Sequence, residues 1–289
     1  MGKGDQAFVD FALQHPTADD LIAAVCHSGV APADLGKACM SAANILWVNK
    51  QLDSALILWE EAARHLDPEH EQLELARCEA NIGAGWADRG DATRASPHAE
   101  RGLELATRLG AWDLVFICAS NLGTIAFSRD DYAEARRLHS LGLEAAERTG
   151  EKSWLAGSLV ALAFDEGALG DLEPARSHLQ QALPFARERG DPRLVFTCQR
   201  ALAHIQLLLR DYPATVTAVL EAITLADELK LSDAANELYN ELGSAYARQG
   251  DIARSQAAFQ HAIETGTSTG MEVSTDGKTK PGNSPGTSG

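Results

Sequence analysis

The sequence predicts an all-α protein, an α-solenoid of stacked helix-turn-helix units, on three observations. Asp91, Asp131, Asp171, Asp211 and Asp251 stand forty residues apart. Small residues recur in the same phase, eight before each aspartate (Gly83, Gly123, Ala163, Ala203, Gly243) and eleven after it (Gly102, Gly142, Ala182, Ala222, Ala262). Hydrophobic residues make up 45% of the chain but aromatic ones only 6%. The core is therefore mostly Ala, Leu and Ile, which suits close helix packing better than strands. A fixed period of this size marks an array in which each unit packs on the next.

In chain order, residues 1–35 are expected to form a helical cap. Two short helices fall within 5–31, the second started by Thr17 behind Pro16 and stopped by Gly29. Six repeats of forty residues then span 36–265. The first is divergent: Ala43, Leu46, Leu52, Ala55, Trp59 and Ala62 keep its pattern, but Gln51 stands where later copies carry aspartate. The third copy shows the pattern most plainly. Leu122, Gly123, Ala126 and Phe127 fall at helical spacing and stop before residues 128–131, and Tyr132, Ala135, Leu138 and Gly142 then share one face up to Gly150. Asp131 is placed to cap the second helix, and Glu134 three residues on completes an Asp form of the capping box. Gly110, Gly150, Gly190 and Gly270 recur as helix stops, a series that Lys230 breaks. From 266 to 289 Gly, Ser, Thr, Pro and Lys dominate, and a disordered tail is expected because such a composition cannot bury a core.

The paired-helix pattern resembles the tetratricopeptide repeat. Leu242-Gly243, Tyr246, Phe259 and Ala262 carry the resemblance best, and Ile82-Gly83, Trp86, Ala95 and Gly102 form a second match. The period of forty, against about 34 for the usual repeat, is similar to that of kinesin light chains, Pins-type adaptors and the helical domains of MalT-like regulators. Asn121-Leu122-Gly123-Thr124 looks most like the Pins-type signature. The resemblance implies a right-handed superhelix whose first helices line a concave groove, and a scaffold or adaptor that binds a partner there.

Composition narrows the partner. Formal charge is −16 (25 Lys and Arg against 41 Asp and Glu), which argues against nucleic acid and against anionic membrane. No apolar run approaches the roughly 18 residues that span a bilayer, and the N-terminus lacks a signal-peptide pattern, so a cytoplasmic location is expected. No catalytic motif is present, and neither an enzymatic activity, a cofactor nor a metal is expected. Gly83-Ala84-Gly85 with Gly90 has the wrong spacing and context for a dinucleotide loop. His65 and His70, near Asp67 and Glu71, read as solvated surface. Cys26, Cys39, Cys78, Cys118 and Cys198 form no metal-ligand spacing, and all five read as reduced core fillers.

The resemblance places the groove on six positions of each first helix. Its large apolar members include Trp47, Phe127 and Phe164. Its polar members include Asn44, Asn81, Asn121, Thr124, His204 and Asn240, whose side chains can hold an extended backbone. Lys37, Arg77, Arg200 and Arg248 outnumber Asp88, Glu237 and Glu241, so an extended or helical acidic segment of another protein is the expected partner. The two-carboxylate clamp of chaperone-binding members is not expected: of its places only Asn44 matches, and Met40, Ala84, Ser120 and Thr124 occupy others. Phe259, Ala262 and Ile263 on the last helix leave an apolar end, for which weak self-association is expected. Two rivals stay open. One is a regulatory module of the MalT-like kind. The other is an enzyme or small-molecule receptor, which a deep pocket around Trp47, Phe127 and Phe164 would favour.

Overall fold

The computed structural model describes residues 3–14, 17–27, 31 and 34–269. Among these the chain is helical throughout. Two short helices, α1 (Lys3–Gln14) and α2 (Ala18–His27), precede six helix pairs. The pairs are α3 (Leu35–Val48) with α4 (Leu52–His65), α5 (Gln72–Asp88) with α6 (Ala92–Leu109), α7 (Trp112–Ser128) with α8 (Tyr132–Thr149), α9 (Lys152–Leu169) with α10 (Leu172–Glu188), α11 (Pro192–Leu208) with α12 (Tyr212–Leu229), and α13 (Ser232–Gln249) with α14 (Ile252–Thr269). The first helix of each pair is called A here and the second B.

The chain divides into two compact units, Met1–Gly190 and Asp191–Gly289. In the first unit α2 packs on α3 and α4, and the A helices α5, α7 and α9 pack on one another in order. Val9, Ala12, Leu21 and Val25 join the same apolar core as Leu46, Leu58, Trp59 and Ile82. In the second unit α11 packs on α13, and each A helix on its B helix.

The recurring aspartates explain where the B helices start. Asp91 accepts from the Arg94 N–H at 3.1 Å, Asp131 from Glu134 at 3.2 Å, Asp211 from Ala214 at 3.3 Å and Asp251 from Arg254 at 3.0 Å. Each such cap stabilises its helix by about 1 kcal/mol. Asp171 differs from the expectation: the donor place three residues on is Pro174, which has no N–H, and its carboxylate accepts from Arg136 at 2.8 Å instead. The capping box expected at Glu134 does not form: the Asp131 N–H it would receive donates to Ala126 O at 3.0 Å, and Glu134 instead accepts from Arg137 at 2.6 and 2.7 Å.

Left-handed residues end the helices. Gly110, Gly150 and Gly190 take φ of 67°, 70° and 63°, and Lys230, the break in the sequence series, keeps the same backbone at 57°. A second left-handed series precedes each B helix: Lys50, Gly90, Asp130, Gly170, Arg210 and Gly250. Gly83 and Gly85 lie inside α5, against Ala99 and Leu56, as packing residues and not a phosphate loop. At the C-terminal end α14 takes in residues 266–269, which the composition had assigned to the tail. The rest of that tail lies outside the described residues, as do Pro16, Gly29 and Gly270.

None of the five cysteines is in a disulfide. Cys39, Cys78, Cys118 and Cys198 are buried as expected, but Cys26 is exposed on α2 and is not a core filler. Burial pushes the Cys39 thiol up to about 11 and those of Cys78 and Cys118 to about 12.

Candidate functional site

The A helices carry the residues expected to bind. Neighbouring A helices meet at an offset of 37 residues. Asn81 Nδ2 lies 3.5 Å from Asn44 Oδ1, Arg200 Nη1 3.4 Å from Glu237, and His204 Nδ1 3.0 Å from Glu241. The offset is the forty-residue period less one helical step of three, which puts residues of one face side by side.

Several expected site residues are engaged within the protein. Asn44 Oδ1 accepts from the indole N–H of the buried Trp59 at 2.9 Å, so it supports the core as well as the face. Trp47 is 52% exposed and packs its ring against Trp59 at 6.4 Å. Lys37 pairs with Glu71 at 2.6 Å. That hydrogen bond raises the Lys37 pKa and lowers that of Glu71. Thr124 Oγ1 donates to Ser120 O within its own helix, and Asn240 Nδ2 donates to Asn236 Oδ1 at 3.1 Å. Arg77 and Arg248 are exposed, and Asn121 is half-buried. Of the four cations counted on this face, Lys37 and Arg200 are met by carboxylates of the protein itself, and His204 is paired as well. The Glu241 hydrogen bond holds the His204 imidazole above its ordinary range.

In the first unit Thr124, Phe127 and Phe164 line a cavity of about 320 Å³ with Ala161, His139 and Asp165. Phe127 and Phe164 stand at the same 37-residue offset, as do Thr124 and Ala161. Trp47 does not line this cavity. Asp165 is fully buried and His139 is 5% exposed. His139 Nδ1 donates to Asp165 Oδ2 at 2.7 Å, while Asp165 Oδ1 is buried with no hydrogen-bond partner. Gly123 makes room for the imidazole, since a Cβ there would lie 2.5 Å from Cδ2 and Nε2 of the ring. The next residue, Glu166, is also buried and accepts from His178 Nδ1 at 2.8 Å.

His139 and Asp165 were not among the residues expected from sequence. The signal was there in their phase. Other copies carry Ala99, Leu179, Val219 and Phe259 in place of His139, and Gly85, Ile125, Ile205 and Ala245 in place of Asp165. Polar groups at two apolar places of the repeat, converging on one cavity, set this copy apart.

A second cavity of about 330 Å³ lies among α6, α7 and α8. Of its charged lining, Arg137 pairs with Glu134, and Asp131 caps α8. Among the described residues no cluster of three or more His, Cys, Asp or Glu could hold a metal, and no helix is long and apolar enough to cross a membrane. His65 and His70 pair singly with Glu61 and Asp67, each at 2.9 Å.

Paired antiparallel helices repeating at a fixed period define the class as a helical repeat protein of tetratricopeptide type. Residues 115–188 match the model of the tetratricopeptide repeat family, and the chain has the fold of a tetratricopeptide-like helical array. Among curated proteins no sequence matches significantly. Among solved structures the chain is similar to BtubC (BKLC) from P. vanneervenii, at 17% identity and a TM-score of 0.64, over 83% of this chain and 99% of that one. It is similar to the apo form of RapI at 14% identity and a TM-score of 0.59, over 92% and 99%. It also resembles a signal-transduction ATPase with a tetratricopeptide repeat sensor from Pyrococcus horikoshii, at 15% identity and a TM-score of 0.62, over 82% of this chain but only 39% of that one. Identities this low speak for the shared fold alone.

Proposed function

We propose that this protein is a non-enzymatic scaffold that binds a segment of a partner protein on its A-helix face, in the cytoplasm. The observation that carries the reading is the cavity of about 320 Å³ on that face, where Thr124, Phe127 and Phe164 converge. An apolar recess with a few placed polar groups is what an anchoring side chain needs. The expected acidic character of the segment carries less of the recognition than the charge count suggested. All four cations are exposed, but at Lys37 and Arg200 an acidic group would have to compete with Glu71 and Glu237. Self-association belongs to the same proposal, through α14, where Ile252 and Ile263 are 58% and 60% exposed. Sedimentation over a range of concentrations tests it, and a strict monomer at high concentration would end it.

The binding reading is tested by cross-linking a captured partner to the chain and mapping the linked residues. Links should concentrate on α7 and α9, and Phe164→Ala should release the partner while Leu109→Ala, at the exposed end of the B helix α6, should not. Equal loss in both variants would refute the assignment of the face.

The small-molecule sensor is the second reading, and the same cavity supports it. A ligand that co-purifies with the chain and is lost in Phe164→Ala would favour it over the scaffold.

A further inference from the structure

We propose that the cavity between α7, α8 and α9 takes a basic side chain, a guanidinium or alkylammonium group, presented by the bound segment. The inference rests on the reading of the A-helix face as a binding face, and it adds the charge of the anchor.

Three independent features point to a cation. The first is the pair of rings: Phe127 and Phe164 both line the cavity, on neighbouring A helices at the offset that places residues side by side. Aromatic faces attract cations, more so where water is excluded. Elsewhere this chain makes that contact with its own arginines, over Trp86 at 4.5 Å, Trp112 at 4.0 Å and Tyr246 at 4.6 Å. The second is the fully buried Asp165, which also lines the cavity. A buried carboxylate is costly unless both its charge and its lone pairs are met. His139 supplies one hydrogen bond to Oδ2 and leaves Oδ1 unmatched. The other oxygen is left as a buried acceptor with no donor beneath an apolar lining. A basic group over the rings would bring N–H donors to the side of the cavity that Asp165 lines. The third is the choice of residues. Apolar side chains hold these two repeat positions in the other copies, so the His–Asp pair is not needed to close a repeat. An acidic or purely apolar anchor would bring that oxygen no donor.

The test titrates four N-acetyl amino-acid amides, of arginine, citrulline, tryptophan and leucine, into the full chain while the backbone amide resonances of Thr124, Phe127 and Phe164 are followed. The arginine amide is expected to shift all three saturably, about tenfold more tightly than citrulline, its neutral isostere. Asp165→Asn should bring the two ligands to within about twofold of one another. Phe164→Ala removes a ring that is already 38% exposed, which spares the fold, and should weaken arginine binding. Tighter saturation by tryptophan or leucine would overturn the basic anchor while leaving the binding face intact. Parity of arginine and citrulline in the unmodified chain, or no shift with any ligand, would also overturn it, whether or not a captured partner still depends on Phe164.

Discussion

Gly83→Ala and Gly157→Ala are the same change in A helices of the same unit, and the structure predicts opposite outcomes. At Gly83 a Cβ would lie 2.9 Å from Ala99 N, 3.0 Å from Ala99 Cβ and 3.1 Å from Ala99 Cα. Two of these atoms are backbone, so no side chain can rotate away. Ordinary contact needs about 3.5–4.0 Å, so α5 and α6 must part by roughly 0.5–1 Å, which forfeits about a quarter to a half of each dispersion contact along the seam. Overpacking of this kind costs about 1–3 kcal/mol. The better helix propensity of alanine returns up to about 1 kcal/mol, leaving a net loss of about 1–2 kcal/mol. At Gly157, exposed in the body of α9, a Cβ would meet nothing within 4 Å, and only the propensity gain of about 0.5–1 kcal/mol remains. Urea unfolding should show the two midpoints moving in opposite directions, and hydrogen exchange should place the Gly83→Ala loss in the amides of α5 and α6. A folded Gly83→Ala chain as stable as the parent would show that the seam between α5 and α6 is not closed on that glycine. The repeat contains its own comparison: Ala163 and Ala203 fill the same place, where the residues sixteen further on are Leu179 and Val219 instead of Ala99.

Three further outcomes follow from the caps, thiols and charges. Native protein should react with Ellman's reagent at one thiol, Cys26, and release the four buried ones only on denaturation; two or more fast thiols would contradict the burial. Arg210→Gly or Lys50→Gly should raise stability by about 0.5–1 kcal/mol, because these residues hold the left-handed backbone at φ of 63° and 64° that Gly90, Gly170 and Gly250 adopt at the same place; a loss in thermal melting would mean that their side chains contribute more than the backbone relief. His204 should titrate above its ordinary value of 6.5 and return toward it in Glu241→Gln. Because the folded pKa is the higher one, this contact stabilises the second unit fully below the unfolded pKa and is lost as pH rises through the folded value; an unshifted His204 resonance would rule the contact out.

The fold was legible because the repeat is set by backbone requirements that few residues meet. A helix start needs a capping oxygen, which Asp91, Asp131, Asp211 and Asp251 supply. A left-handed stop needs glycine or a tolerated strain, which is why Lys230 could break the residue series without breaking the structure. Asp171 shows the limit of reading one position alone, since Pro174 three residues later removes the donor it would have capped.

The candidate site was legible only in part, and the reason is the same period read the other way. Thr124, Phe127 and Phe164 were reached as members of a face, but His139 and Asp165 were passed over because a phase-based reading looks for what repeats. What repeats serves the fold: a residue that must recur in every copy is held there by packing or capping. A site built into one copy has to break the phase, and both residues break it with polar groups in apolar places. The charges were legible only as a count: Lys37 and Arg200 were summed with Arg77 and Arg248, while the effect of each depends on its neighbours. The helix offset supplies those neighbours directly, because 200 and 237, or 204 and 241, differ by 37, as do 127 and 164. In a helical array the period identifies the scaffold, the offset identifies which residues touch, and departures from the period identify where the scaffold has been given a task. His139 on α8 and Asp165 on α9, from adjacent copies, are two such departures, and both line the cavity.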